Sequence, residues 1–294
     1  LFREASLGAQ ASDAATNEAH RYRIALFEGY EALASRPIST RLAVDICRTI
    51  TNIDLDVRAT PGTTLRNFRT GEVVYTPPEG EDRLGKLLAT WETFINELST
   101  LDPVIKMAVQ HYQFEAIHPF IDGNGRTGRI LNILCLVQDG LLDAPALYLS
   151  RHILATRTEY YHLLNEVTTR GHWAAWIIYM LRAVELTALW TEQKIRAIRQ
   201  LMEITTENVK QQSPKIYSHE LIHLIFDKPY CRIADVVERG IAKRQSASTH
   251  LRELTRLNVL TDYKFGRDKV FVNLPYVRLL ANDDNELVSS EATS

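Results

Sequence analysis

His118-Pro119-Phe120-Ile121-Asp122-Gly123-Asn124-Gly125-Arg126-Thr127-Gly128-Arg129 is the stretch on which the reading turns. It holds a titratable base, a carboxylate, two glycines around an asparagine and two arginines. An apolar helix pattern follows at once (Ile130, Leu131, Ile133, Leu134, Leu136, Val137). Glycines at a helix start let backbone N–H groups approach an anion, and the positive end of the helix dipole adds to that field. Arg126 and Arg129 lie three apart on one helical face and can converge on a single polyphosphate, which forked guanidinium donors suit. Asp122 beside such a cradle is a natural Mg²⁺ ligand, because Mg²⁺ takes one or two carboxylates plus phosphate oxygens. His118 titrates near neutrality and is suited to taking a proton from an incoming hydroxyl. Together these parts describe transfer from a nucleotide.

Helical periodicity extends from this block in both directions. Upstream, apolar spacing predicts helices over about Asp13–Leu33, Ser39–Ile50, Asp82–Leu98 and Asp102–Ala116, the last opened by an Asp-Pro pair. Val73-Val74-Tyr75-Thr76 is a β-rich run in a segment punctuated by Gly62, Gly71, Pro77, Pro78 and Gly80, so a short exposed hairpin is expected over Arg69–Pro78. Downstream, helices are expected over Asn124–Gln138, Tyr148–Val167 and about Trp173–Val209. Gln211-Gln212-Ser213-Pro214 then breaks the pattern. Beyond it come three short helices (His219–Phe226, Ile233–Glu238, Lys243–Leu257) and two β-like runs, Val259–Phe265 and Lys269–Leu274, around a Gly266-Arg267 turn. That order looks like a winged helix-turn-helix. The expected class is mainly α, with a helical domain over 1–210 (core about 82–170), a winged helix-turn-helix domain over 215–280 and a tail over 281–294.

Composition narrows the function classes. The chain has 294 residues, 45% apolar and 24% charged, which excludes wholesale disorder and collagen-like repeats. Thirty-four Lys and Arg against thirty-six Asp and Glu give −2, unlike a chain acting mainly as a polycation. The segment from Lys215 to Arg278 differs: twelve basic against seven acidic residues, net +5. Lys243, Arg244, Gln245, Ser246 and Ser248 at the presumed recognition helix, with Arg267 and Lys269 in the wing, make DNA a candidate partner; protein docking or dimerisation is the competing use. The apolar run Trp173–Leu181 is too short to span a bilayer, which takes about 20 residues, so no membrane partner is expected. Cys47, Cys135 and Cys231 are widely spaced among apolar residues, which points to a reducing, cytoplasmic setting rather than a disulfide framework. His219 and His223 stand four apart without a third ligand candidate, so a helix face is the better reading than a metal site.

The block His118–Arg129 resembles the signature of Fic domains, H-P-F-x-D/E-G-N-G-R-x-x-R, at all nine specified positions. The likeness takes in Ala108–Ile117, the Pro-Pro-Glu after the hairpin, and Leu147-Tyr148-Leu149-Ser150, and extends to the subgroup with a C-terminal winged helix. The resemblance implies a Fic-type helical domain and protein adenylylation: AMP moves from ATP to a Ser, Thr or Tyr hydroxyl of a target protein, with self-modification. His118 would be the general base and Asp122 would hold Mg²⁺. Gly123, Asn124 and Gly125 would form the anion hole, and Arg126 and Arg129 would bind the outer phosphates. Val73, Val74 and Tyr75 would belong to a flap that aligns the target segment by main-chain pairing. Tyr160 and Tyr161 fall where the family often contacts the nucleoside, although aromatic residues at helical spacing also fill cores. Relatives that move another phosphate-containing group, or a DNA-binding regulator with a nucleotide-sensing Fic fold, are the alternatives. Related proteins are often dimers. Many Fic proteins carry an inhibitory helix, S/T-x-x-x-E-G/N, and no Glu-Gly or Glu-Asn pair here fits it; the expectation is that it lies upstream of Leu1.

Overall fold

The structure is a computed structural model and describes residues 14–66, 71, 73–97, 100–265 and 268–285. The chain folds as two compact units, one over Asp13–Leu189 and one from Trp190 onward.

The first unit begins with α1 (Ala14–Ala32) and α2 (Thr40–Thr51). Ser39 caps α2 through its hydroxyl, which accepts from Leu42 N at 3.3 Å, and Asn52 ends it in the left-handed conformation (φ 56°). Two short strands, β1 (Leu65–Arg66) and β2 (Val73–Tyr75), pair antiparallel with Leu65 opposite Tyr75 and Arg66 opposite Val73. The expected hairpin therefore reaches back to Leu65, while the expected residues 69, 70 and 72 lie outside the described residues. Then come α3 (Glu81–Asn96), α4 (Pro103–Ile117), α5 (Asn124–Gln138), α6 (Leu149–Ala155), α7 (Arg157–Arg170) and the first part of α8 (Trp173–Gln212).

The helix α5 is buried on nearly every side from Ile130 to Leu136, as a central helix must be. Trp91, Phe114, Phe120 and Trp176 fill the space around it. Its polar interior residue Asn132 accepts at Oδ1 from Gln110 Nε2 at 2.7 Å, while no partner for its Nδ2 is found among the described residues. One expected helix is two: Tyr148–Val167 breaks at Thr156 (φ −111°, ψ 32°). The Thr156 hydroxyl bonds back to the His152 carbonyl (2.8 Å) and meets the Tyr179 hydroxyl (2.7 Å), which holds the backbone out of the helix.

The second unit holds the rest of α8, then α9 (His219–Asp227), β3 (Tyr230–Cys231), α10 (Ile233–Glu238), α11 (Arg244–Arg256), β4 (Thr261–Phe265), β5 (Asp268–Val272) and α12 (Leu274–Ala281). Its antiparallel sheet runs β3-β5-β4, and Leu221, Leu224, Leu251, Leu254 and Phe271 lie in its core. Helices followed by a hairpin match the expected order. The helix α12 is additional to it: Asn273 caps it by accepting from Tyr276 N (3.1 Å), Pro275 sits in its first turn, and Lys194 Nζ donates to the carbonyls of Leu279 (2.5 Å) and Asn282 (2.7 Å) at its far end.

Candidate active site

The loop between α4 and α5 starts at His118, which ends α4 in the left-handed conformation (φ 50°, ψ 59°). A non-glycine residue there needs support from its surroundings, and bonds to four successive carbonyls supply it. The Tyr75 hydroxyl donates to Ala116 O (2.7 Å); Arg58 donates through Nη2 to Ile117 O (3.3 Å), through Nε to His118 O (2.8 Å) and through its backbone N to Pro119 O (2.8 Å). A further bond runs from Arg58 Nη2 to Pro78 O at 2.6 Å. Burial, and next the Arg58 guanidinium, pull the His118 imidazole down to about 4, so it is a neutral base at physiological pH.

Phe120 turns into the core and meets Phe114, while Ile121 faces solvent. Asn124 is 3% exposed and its carboxamide clasps the loop: Oδ1 accepts from Phe120 N (2.9 Å) and Nδ2 donates to Phe120 O (2.7 Å). The side chain of Asn124 is therefore a clasp rather than part of an anion cradle, and only its backbone remains for that role. Gly123 caps α5 at φ 85°; a Cβ there would stand 2.9 Å from Cys47 Sγ and from Thr51 Cγ2. The first intrahelical bond is Thr127 N to Gly123 O (2.9 Å), so the N–H groups of Asn124, Gly125 and Arg126 have no intrahelical acceptor. They face the end of α5 where an anion is favoured.

Arg126 bonds Asp122 Oδ2 (3.0 Å) and, from α1, Glu18 Oε1 (2.8 Å). Arg129 lies deeper. Its Nη1 would be 3.2 Å from a Cβ on Gly125, and its buried Nε has no hydrogen-bond partner among the described residues. Beside it, burial pushes the Glu115 carboxyl up to about 7, with Arg129 pulling the other way, and Glu115 Oε1 would be 2.8 Å from a Cβ on Gly128. Asp122 is well exposed, accepts from Gly123 N at 2.6 Å and pairs with Arg126. One such carboxylate fits Mg²⁺ when nucleotide phosphates complete the oxygen shell.

Among the residues expected to contact the nucleoside, Tyr160 is core. It is 3% exposed, and its hydroxyl meets His111 Nε2 at 2.9 Å. Burial, then Arg129, pull His111 down to about 3. Tyr161 is half exposed, with Arg157 5.5 Å from its ring centre. In the flap, Val73 and Val74 are exposed, whereas Tyr75 points back to α4 as an anchor. Sequence reasoning missed Arg58, Glu18 and Glu115. The only signal for Glu115 was its place three residues before His118; the other two are remote in sequence.

Residues 38–136 match the family model described as Fic/DOC family, and residues 201–276 match the one described as Protein adenylyltransferase SoFic-like, C-terminal domain. The protein adenylyltransferase Fic of Drosophila willistoni is 32% identical over 151 residues, which cover 48% of this chain and 29% of that protein. A probable protein adenylyltransferase of Aquifex aeolicus (strain VF5) is 40% identical over 81 residues, 28% of this chain and 24% of that one. The chain thus spans less than a third of either relative. In fold it is similar to a Fic family protein from Desulfovibrio desulfuricans G20, with a TM-score of 0.52 and 18% identity, covering 89% of this chain and 76% of that chain. Loop geometry and both family matches lead to one statement: the chain carries a Fic/DOC family domain followed by a SoFic-like C-terminal domain.

Proposed function

We propose that the protein is an adenylyltransferase that moves AMP from ATP to a Ser, Thr or Tyr hydroxyl of a target protein, itself included. What carries this reading is the pairing, across one short loop, of a neutral imidazole at the end of α4 with the open N-terminus and two arginines of α5. The target oxygen attacks the α-phosphorus, the bond to the bridging oxygen breaks, pyrophosphate leaves, and the hydroxyl proton passes to His118. The backbone N–H groups at Asn124, Gly125 and Arg126 hold phosphate oxygens, and Arg126 and Arg129 hold the outer phosphates. Asp122 would hold Mg²⁺, which supplies positive charge against the phosphates. Exposed Val73 and Val74 offer the strand edge for the target, and Tyr161 the ring for the nucleoside. The reading includes a homodimer and a cytoplasmic setting, which three free buried thiols suit.

Mass spectrometry of the protein after incubation with ATP and Mg²⁺ tests it. An added AMP on a hydroxyl residue, lost in His118→Ala, is the expected result. An increment matching phosphate or another group would move the reading to a different transferase, and no increment would defeat it.

One observation favours a second role. Lys243, Arg244, Gln245 and Ser246 at the start of α11 are all exposed, in a segment of net +5. Contact with duplex DNA through α11 is the corresponding proposal. It predicts binding to a short random duplex that weakens steeply with salt and is lost in the double variant Lys243→Glu, Arg244→Glu; no salt-dependent binding would rule it out.

A further inference from the structure

Arg58 is 3% exposed, its side-chain donors all meet carbonyls, and no ion pair within 4.0 Å is found for it among the described residues. Buried guanidinium groups are ordinarily matched by carboxylates. Here the nearby Glu79 carboxylate accepts instead from Gly62 N (2.6 Å). The donors of Arg58 meet carbonyls, and those carbonyls belong to two separate parts of the site. Ile117, His118 and Pro119 form the end of α4 and the start of the loop; Pro78 is the return limb of the flap. Tyr75, in β2, takes the preceding carbonyl, Ala116. Four consecutive carbonyls around the base are thus held by two side chains and one backbone N–H, all from the flap or from the segment leading to it.

A simple helix cap needs only the last turn of α4. It does not need the bond to Pro78, nor the buried charge. We propose that Arg58 is a positioning residue that fixes the His118 imidazole and the target-docking strand in one rigid relation. This inference rests on the adenylyltransferase reading. Its physical content is that a hydroxyl aligned on the flap arrives at the base without either part having to be reorganised, which is where displacements of about 1 Å cost about 100-fold in rate.

The test compares Arg58→Met and Arg58→Lys with the unsubstituted chain. AMP transfer to the chain itself is followed with ATP and Mg²⁺, alongside amide hydrogen exchange and thermal melting. In Arg58→Met, kcat should fall about 100-fold with KM for ATP within about threefold of the parent. Exchange should rise together in residues 73–79 and 117–122, with α2 unchanged. Arg58→Lys keeps the charge with its donors on a single nitrogen and should recover about tenfold of the loss. Transfer by Arg58→Met within about threefold of the parent would overturn the proposal. So would a loss in which KM rises in step and lysine restores nothing, since that pattern belongs to a general structural role. If the unsubstituted chain transfers no AMP, the adenylyltransferase reading is what fails. The tether is then judged by exchange alone: loosening of both segments supports it, and loosening of only one overturns it.

Discussion

Replacing His118 by alanine removes the imidazole proposed to accept the proton of the target hydroxyl. Transfer should fall by at least about 100-fold while nucleotide binding, measured by calorimetry, stays within a few-fold. The pH dependence follows from the sign of its shift. The base works when neutral, and its pKa lies near 4 rather than at the ordinary 6.5. The acid limb of kcat/KM assigned to it should therefore fall near 4, and a limb at 6.5 would contradict the burial argument. Gly123 gives a second test at this scale. A methyl there would clash with Cys47 and Thr51 at 2.9 Å on a backbone at φ 85°. Gly123→Ala should cost about 1–3 kcal/mol in chemical denaturation and weaken nucleotide binding. His118, Asp122, the glycines and both arginines were readable because they are contiguous, so the chemistry is written in local spacing. Arg58 was not, since a lone arginine sixty residues away reads as surface charge until the fold turns it inward. Tyr160 and Tyr161 show the limit of adjacency: neighbours in sequence, one in the core and one half in solvent.

The helices followed apolar periodicity closely, because most of them bury a single face. The departures have side-chain causes. Thr156 breaks one expected helix with its hydroxyl, and α12 begins at Asn273 and Pro275, where the expected β-like run Lys269–Leu274 ends and no further element was expected. The ion pair between Glu18 on α1 and Arg126 on α5 is the element-scale feature that bears on the proposed function. Exposed pairs of this kind contribute about 0–1 kcal/mol to stability, yet this one occupies a guanidinium proposed to hold the outer phosphates. Glu18→Ala should leave the melting temperature nearly unchanged and raise nucleotide affinity several-fold. Unchanged affinity would mean that the carboxylate yields without cost.

At the scale of the whole molecule, the domain boundary was expected at a polar break with a helix-stopping proline. The polar break Gln211–Pro214 coincides with the end of α8, while the compact units divide within that helix at Leu189 and Trp190. A continuous helix has no compositional mark where its packing partners change. The three cysteines behave alike in both units: all are buried and free, and burial raises Cys47 to about 11 and Cys135 and Cys231 to about 12. The native protein should therefore show no fast thiol in a titration with an aromatic disulfide reagent, and three after denaturation. A rapidly reacting thiol in the native state would place one of them outside its core. No helix among the described residues is long and apolar enough to cross a membrane.

The carboxamide clasp of Asn124 also bears on how the protein ages. Asparagine followed by glycine is the dipeptide most prone to shed ammonia by closing a succinimide ring, and Asn124-Gly125 is such a pair. With both ends of its carboxamide tied to Phe120, that ring cannot close without first breaking two bonds. Conversion to aspartate would set a negative oxygen against the Phe120 carbonyl where a donor had been. The folded protein should thus keep Asn124 intact on storage, and conversion should appear only where the turn has opened.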